Sequence, residues 1–259
     1  MNIIVLNGHP KPGGSPTTVI LNHLLEGCRE SGAGILDYNL GDMKIESCIG
    51  CLYCWTNIEG RCILEDDASL LSKEFQKSEV AIFASPLKFF SCSSLLKIIL
   101  ERLFMPYTSG KRCLFVGDEY YYVTRRKFSG ERKKILFLLD SEFSDTDLFA
   151  PLIQSVKSSF SIVLDDDGEN VMDYMGSITI GCSVLAGNAD IFSKCTNLKG
   201  LLKRAGKQIV QNSNIEPDLF DEINLPLYRH AGISREEAFS LTNRLMRSFS
   251  FSPGRGEKI

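Results

Sequence analysis

The sequence predicts an α/β protein: a three-layer α/β/α sandwich on a five-stranded parallel sheet in the order 2-1-3-4-5. Three observations predict it. Short runs rich in Val, Ile, Leu and Phe alternate with amphipathic stretches, the pattern of parallel strands joined by right-handed crossover helices. The runs are apolar throughout instead of alternating polar and apolar, as strands buried on both faces must be. The 259 residues are 44% apolar and 24% charged, which is ordinary globular usage and enough for one large core.

Each element follows in order. Ile3 to Leu6 is a β-branched run closed by Asn7-Gly8, and Thr17 to Arg29 is amphipathic with Thr17 as its expected N-cap. Gly34 to Leu40 is the second strand, Asp67 to Lys77 a helix with Asp66-Asp67 as cap, Val80 to Ala84 the third strand and Ser93 to Phe104 a helix. Ile135 to Leu139 and Ser177 to Cys182 complete the sheet, followed by helices over Asp147 to Phe160 and Leu198 to Gln211. Two segments exceed this plan. Residues 105–134 form an insertion, and residues 213–259 form a helical C-terminal extension to a domain spanning 1–212. In the extension Ser234 and Glu237 make a capping box, with Ala238, Leu241, Leu245 and Phe249 on one face. That apolar stripe, with the loop around Trp55, is expected to help form a homodimer, with packing against its own domain as the alternative.

A net charge of −3 gives no overall preference for polyanions. The insertion is locally basic: between Lys111 and Lys134 eight Lys/Arg stand against three acids, with Tyr120, Tyr121 and Tyr122 among them. Nucleic acid is not expected there; a solvated insertion is, or one whose Arg125, Arg126 and Lys127 hold the phosphates of a nucleotide donor. No run approaches the roughly eighteen apolar residues of a bilayer span, and the start of the chain lacks a basic leader, so the expectation is a cytoplasmic protein with no membrane segment. Its nine cysteines are then thiols.

Chemistry concentrates in three segments. Gly8-His9-Pro10-Lys11-Pro12-Gly13-Gly14-Ser15-Pro16-Thr17-Thr18 joins the first strand to the first helix. It offers glycines, hydroxyls, a cation and a helix N-terminus, the parts of an anion site, yet it is neither a Walker loop nor the Gly-x-Gly-x-x-Gly pattern. Ser85-Pro86-Leu87-Lys88-Phe89-Phe90 follows the third strand, where ligands of such sheets bind. Cys48, Cys51, Cys54 and Cys62 follow C-x2-C-x2-C-x7-C, a spacing able to wrap a cubane cluster and less suited to zinc; buried apolar thiols or a redox pair are the alternatives.

Taken together, the three segments resemble those of the NADPH-dependent FMN reductase and iron-sulfur flavoprotein families, which are flavodoxin-like. The first loop is similar to their Gly-Ser-Pro-Arg-x-x-Gly-x-Thr motif, with His9 in place of Ser and Lys11 in place of Arg. Ser85 to Phe90 with Glu101-Arg102 resembles their Ser-Pro-Val-Tyr-Trp-Gly motif and the following helix ending Asp-Arg; Lys88 and Phe90 depart from it. The resemblance implies FMN, its phosphate held by His9, Lys11, Ser15, Thr17 and Thr18 and its ring placed against Pro86, Leu87, Lys88, Phe89 and Phe90. It also implies NADPH or NADH as donor and a quinone-like or other small aromatic acceptor. A [4Fe-4S] cluster on Cys48, Cys51, Cys54 and Cys62 is implied in its iron-sulfur branch, where an electron-transfer or sensing role with a protein partner is the alternative to a reductase. No side-chain acid or base is expected to be catalytic, because the cofactor carries the redox chemistry.

Overall fold

The computed structural model describes residues 1–11, 13–56, 61–104, 108–124, 132–165 and 167–248. Its strands are β1 (Asn2–Asn7), β2 (Gly34–Asn39), β3 (Val80–Pro86), β4 (Thr108–Val116), β5 (Glu119–Thr124), β6 (Lys133–Asp140), β7 (Val163–Leu164) and β8 (Met172–Ile180). Its α-helices are α1 (Pro16–Glu30), α2 (Tyr53–Thr56), α3 (Ala68–Lys77), α4 (Ser94–Phe104), α5 (Ala150–Ser161), α6 (Ala189–Lys194), α7 (Thr196–Asn212), α8 (Pro217–Ile223), α9 (Leu227–His230) and α10 (Arg235–Ser248).

The main sheet has five parallel strands, as expected, in the order β2-β1-β3-β6-β8. The labels are not consecutive because β4, β5 and β7 intervene in the chain and form a separate sheet, β4-β5-β7, which the sequence reading did not foresee. Residues 108–124 of the expected insertion are an antiparallel hairpin, and β7 joins it in parallel through Tyr122 opposite Val163. Arg125, Arg126 and Lys127 lie outside the described residues.

Because side chains alternate along a strand, each apolar strand feeds two cores. Ile3, Val5, Val80, Ile82, Leu136 and Leu138 face α1 and α7, while Ile4, Leu6, Ala81, Phe83, Ile135 and Phe137 face α3, α4 and α5. On the first face α1 and α7 touch backbone to backbone: a Cβ on Gly27 would stand 2.0 Å from the Lys203 carbonyl oxygen, and one on Gly206 2.1 Å from that of Leu24. The tail belongs to this same core, since Leu219, Ile223, Leu227, Ala231 and Ala238 are buried in it and Leu241 and Leu245 pack on it. Ala238, Leu241 and Leu245 of the α10 stripe are therefore covered by their own chain, the alternative to a dimer contact, and Phe249 lies outside the described residues. Ser234 does cap α10, accepting from Glu237 N–H at 3.1 Å.

Two caps differ from expectation. Ser15, not Thr17, caps α1, its Oγ accepting from Thr18 N–H at 3.2 Å. Asp67 makes no side-chain cap bond to α3, its carboxylate accepting from Lys44 N–H; of the expected pair it is Asp66 that accepts the first helical N–H, that of Ala68 at 3.1 Å, along with Glu46 N–H and Arg102. No helix among the described residues is long and apolar enough to cross a membrane.

Candidate functional site

The carboxyl ends of β1, β3 and β6 converge at one edge of the sheet. After β1 the chain is wired to itself. Asn7, nearly inaccessible, donates from Nδ2 to Thr18 Oγ1 at 2.9 Å and accepts His9 N–H on Oδ1 at 3.0 Å. His9 Nδ1 accepts Lys11 N–H at 3.1 Å, so the proton of the neutral ring sits on Nε2. Ser15 and Thr18 share a hydroxyl–hydroxyl bond of 3.0 Å. These bonds leave the N–H groups of Gly13, Gly14, Ser15 and Thr17 without an acceptor among the described residues. Gly14 holds φ +71°, and a Cβ on Gly13 or Gly14 would meet nothing within 4 Å, so a ligand can lie directly on this backbone. Free N–H groups at the start of a 15-residue helix, with Lys11 exposed beside them, fit a phosphate.

His9, Lys11, Ser15 and Thr18 are thus brought together at this loop. Thr17 is not: it is fully buried, and its hydroxyl donates to Asp140 Oδ1 at 2.5 Å, leaving only its backbone N–H for a ligand. Burial pushes the His9 imidazole below its ordinary value, an effect that Asp140 only partly offsets, so His9 serves as a neutral donor and Lys11 is the cation.

After β3, Pro86 and Leu87 are buried and Lys88, Phe89 and Phe90 are exposed. Lys88 and Ser91 exchange backbone bonds of 2.8 and 2.9 Å across a tight turn whose two central residues, Phe89 and Phe90, have φ +49° and +57°. Left-handed backbone is costly for residues other than Gly, Asn and Asp, about 1–3 kcal/mol each. The turn nevertheless holds Phe89 98% exposed and Phe90 half exposed at the mouth of the crevice. Pro86 and Leu87 support this turn from within the core, and only residues 88 to 90 are presented to a ring.

Three residues that sequence reasoning missed join these loops. Ser93 Oγ donates to Gly8 O at 2.7 Å, while its N–H donates to Ser85 Oγ at 2.8 Å. A Cβ on Gly8 would strike Ser93 Oγ at 2.7 Å and Leu96 Cβ at 2.8 Å, so this close contact requires glycine. Asn7 is the second, and Asp140 at the end of β6 is the third. Asp140 accepts from Thr17 with its side chain and from Leu87 N–H, at 2.7 Å, with its carbonyl. Burial raises its carboxyl above the usual range against the pull of Thr17, Ser183, His9 and Lys88. Single polar residues at strand ends carry no spacing signal, so only their burial in the structure reveals them.

The cysteine segment lies on the same side of the sheet as α4. Cys48 and Cys51 are exposed, and Cys54 and Cys62 are half-buried. Burial raises the Cys54 thiol, and the charges of Cys62, Cys48 and Cys51 raise it further, so the four are gathered on one loop. Yet among the described residues no three His, Cys, Asp or Glu are set to hold a metal ion, and residues 57–60 lie outside the description. What secures this loop is Arg102 of α4, whose Nη1 pairs with Asp66 and donates to Glu46 O at 3.0 Å while Nη2 donates to Leu64 O at 3.3 Å.

The phosphate-fitting loop, the aromatic turn and Arg102 all fall in the first half of the chain, the part that the sequence comparison covers. Residues 1–120 match the NADPH-dependent FMN reductase family. The match stops in β5, so β6 onward lies beyond it. The chain is also similar to an iron-sulfur flavoprotein of Methanocaldococcus jannaschii, 31% identical over 102 residues, which are 39% of this chain and 51% of that protein. It thus spans about half the length of this curated relative. An FMN-dependent NADH-azoreductase of Bacillus anthracis, solved with FMN, superposes with a TM-score of 0.57 at 15% identity over 81% of this chain and 99% of that one. An NAD(P)H:quinone oxidoreductase of Methanothermobacter marburgensis gives a TM-score of 0.54 at 16% identity, over 83% and 99%. At these identities the two structures establish the flavodoxin-like fold. The Gly8–Thr18 loop, the 85–90 turn and the helix carrying Arg102 all lie within the matched residues.

Proposed function

We propose that this chain is an FMN-dependent oxidoreductase that passes electrons from NADPH or NADH through the bound flavin to a quinone-like or other small aromatic acceptor. The observation that carries this reading is the pairing of an N–H cradle lacking acceptors with an exposed two-phenylalanine turn, joined through Ser93 into one crevice at the sheet's carboxyl edge. The family match and the fold of the azoreductase and quinone oxidoreductase support it.

Bound FMN would supply the hydride-accepting and electron-donating chemistry. The protein's own share is positional. The N–H groups of residues 13 to 15 and 17 and the Lys11 ammonium hold the phosphate, His9 Nε2–H donates at its edge, and Asn7 and Thr18 keep these groups in place before any ligand arrives. Phe89 and Phe90 offer apolar faces to a ring, and their side chains screen it from water on that side. Beneath the phosphate loop, burial raises the Asp140 carboxyl above its ordinary range.

Anaerobic stopped-flow mixing of FMN-loaded protein with NADPH or NADH tests the reading, with flavin bleaching as the expected result. Lys11→Ala is expected to weaken FMN about tenfold through loss of one charge-assisted contact of about 1.5 kcal/mol, read by quenching of flavin fluorescence. Flavin that dithionite bleaches but neither nucleotide reduces would make the protein an electron carrier or sensor. Failure to bind FMN at all would overturn the reading entirely.

A further inference from the structure

The tail builds a second opening on the same sheet edge. A cleft of about 300 Å³ lies between the loop after β6, the loop after β8 and helices α9 and α10. Cys182 N–H donates to Phe143 O, and Ser183 N–H to Ser141 O, both at 2.8 Å, so the two loops form one wall. Leu227 N–H donates to Gly181 O at 2.8 Å and ties the tail to that wall. The cleft adjoins the flavin crevice directly: its wall begins one residue after Asp140, whose carbonyl holds Leu87 of the aromatic turn and whose carboxyl is bonded by Ser183.

Its lining has the character of a small-molecule site. Phe143, Phe239 and Met246 are large apolar side chains left more than half exposed around it, and Ala238 and Cys182 form a smooth floor. Four polar side chains enter the same space, Glu142, Tyr228, Arg235 and Thr242. None of them makes a hydrogen bond or ion pair with another described residue, although Glu142 and Arg235 carry opposite charges and line one cleft. A few polar side chains, exposed or half-buried, converging on an apolar cleft are the usual makings of a small-molecule site.

We infer that this cleft binds a small aromatic anion, its ring between Phe143 and Phe239 and its charged oxygens on Arg235 and Tyr228, and that this is the acceptor site. Arg235 is permanently charged and presents a planar fork that suits a carboxylate or phenolate, and the Tyr228 hydroxyl adds a donor. Glu142 lines the cleft as an acceptor for a hydroxyl on the ligand, and it opposes a second negative charge. The acceptor assignment rests on the proposed reductase activity; the binding assignment does not.

The test uses 2-naphthoate and its uncharged counterpart 2-naphthamide, neither of which accepts electrons or alkylates thiols. Calorimetric titration of the full chain is expected to show saturable naphthoate binding that Arg235→Gln weakens at least tenfold while leaving the amide unchanged. Arg235 is exposed, so this substitution spares the core. In turnover with NADPH and a quinone, naphthoate is expected to compete with the quinone. An Arg235→Gln protein that binds naphthoate as the parent does, or a flat titration of the parent, overturns the inference. So does a Phe239→Asp protein that halves in mass by light scattering while the parent titration stays flat, because the cleft would then belong to a second copy of the chain. Naphthoate binding to a protein whose flavin NADPH fails to reduce upholds the site and overturns only the reductase reading.

Discussion

Gly27→Ala is expected to destabilise the protein by about 3 kcal/mol or more, a large share of the roughly 5–15 kcal/mol that holds a domain folded. The added methyl would lie 2.0 Å from the Lys203 carbonyl oxygen and 2.8 Å from its carbon, distances that backbone atoms cannot yield locally. The helices must separate along their whole contact, loosening Leu24, Leu25, Leu202 and Ala205 together. Alanine's better helix propensity recovers only about 1 kcal/mol. Gly200→Ala is the internal control: it lies in the middle of α7, where a Cβ meets nothing within 4 Å, and there the same propensity gain should raise stability slightly. Urea midpoints of the two variants should fall on opposite sides of the parent. Equal midpoints would show that the helices do not meet at these glycines.

Arg102→Leu is expected to cost about 3–5 kcal/mol, because it leaves the Asp66 carboxylate buried without its partner and two loop carbonyls without donors. The sign of the pH dependence follows from the pair. Burial opposes charge on Asp66, but hydrogen bonds from Arg102 and from the N–H groups of Glu46 and Ala68 outweigh it and hold the carboxyl below its ordinary range. The pair therefore contributes its stability above the ordinary carboxylate range and loses it as pH falls through the lowered value. The deficit of Arg102→Leu should be full near neutrality and shrink in acid, where Asp66 is neutral in both proteins. A deficit that is the same at every pH would mean that Arg102 acts through packing alone. Because Glu46 and Leu64 flank the cysteine segment, the variant should also make Cys48 and Cys51 react faster with a thiol reagent.

The legible part of this molecule was what repeats. Ile3 to Leu6, Val80 to Ala84 and Ile135 to Leu139 are apolar at every position, and that pattern has one structural meaning, a strand covered on both sides. The Gly8–Thr18 loop was legible as a candidate anion site because glycines, hydroxyls and a cation crowd between a strand and a helix. What escaped was made by single residues meeting across the fold. Asp66 was read only as a helix cap, and it does accept the Ala68 N–H at the start of α3, but its ion-pair partner Arg102 lies 36 positions away in sequence. Thr17 was assigned to the ligand, although Asp140, from the far end of the chain's middle, takes its hydroxyl. The β4–β5 hairpin was hidden by the lysines and arginines around Tyr120 to Tyr122, which suggested a solvated segment instead of a paired one.

The turn at Phe89 and Phe90 also bears on how this chain can change over generations. Glycine would occupy that backbone without strain, so selection for heat resistance alone would replace one phenylalanine or both. Aromatic rings on such a backbone, one of them turned almost wholly to water, give up stability at this turn, in keeping with the recognition role proposed above. A laboratory lineage evolved only for thermal survival should drift to glycine or asparagine at these two positions and, on the function proposed above, bind flavin more weakly as it does so.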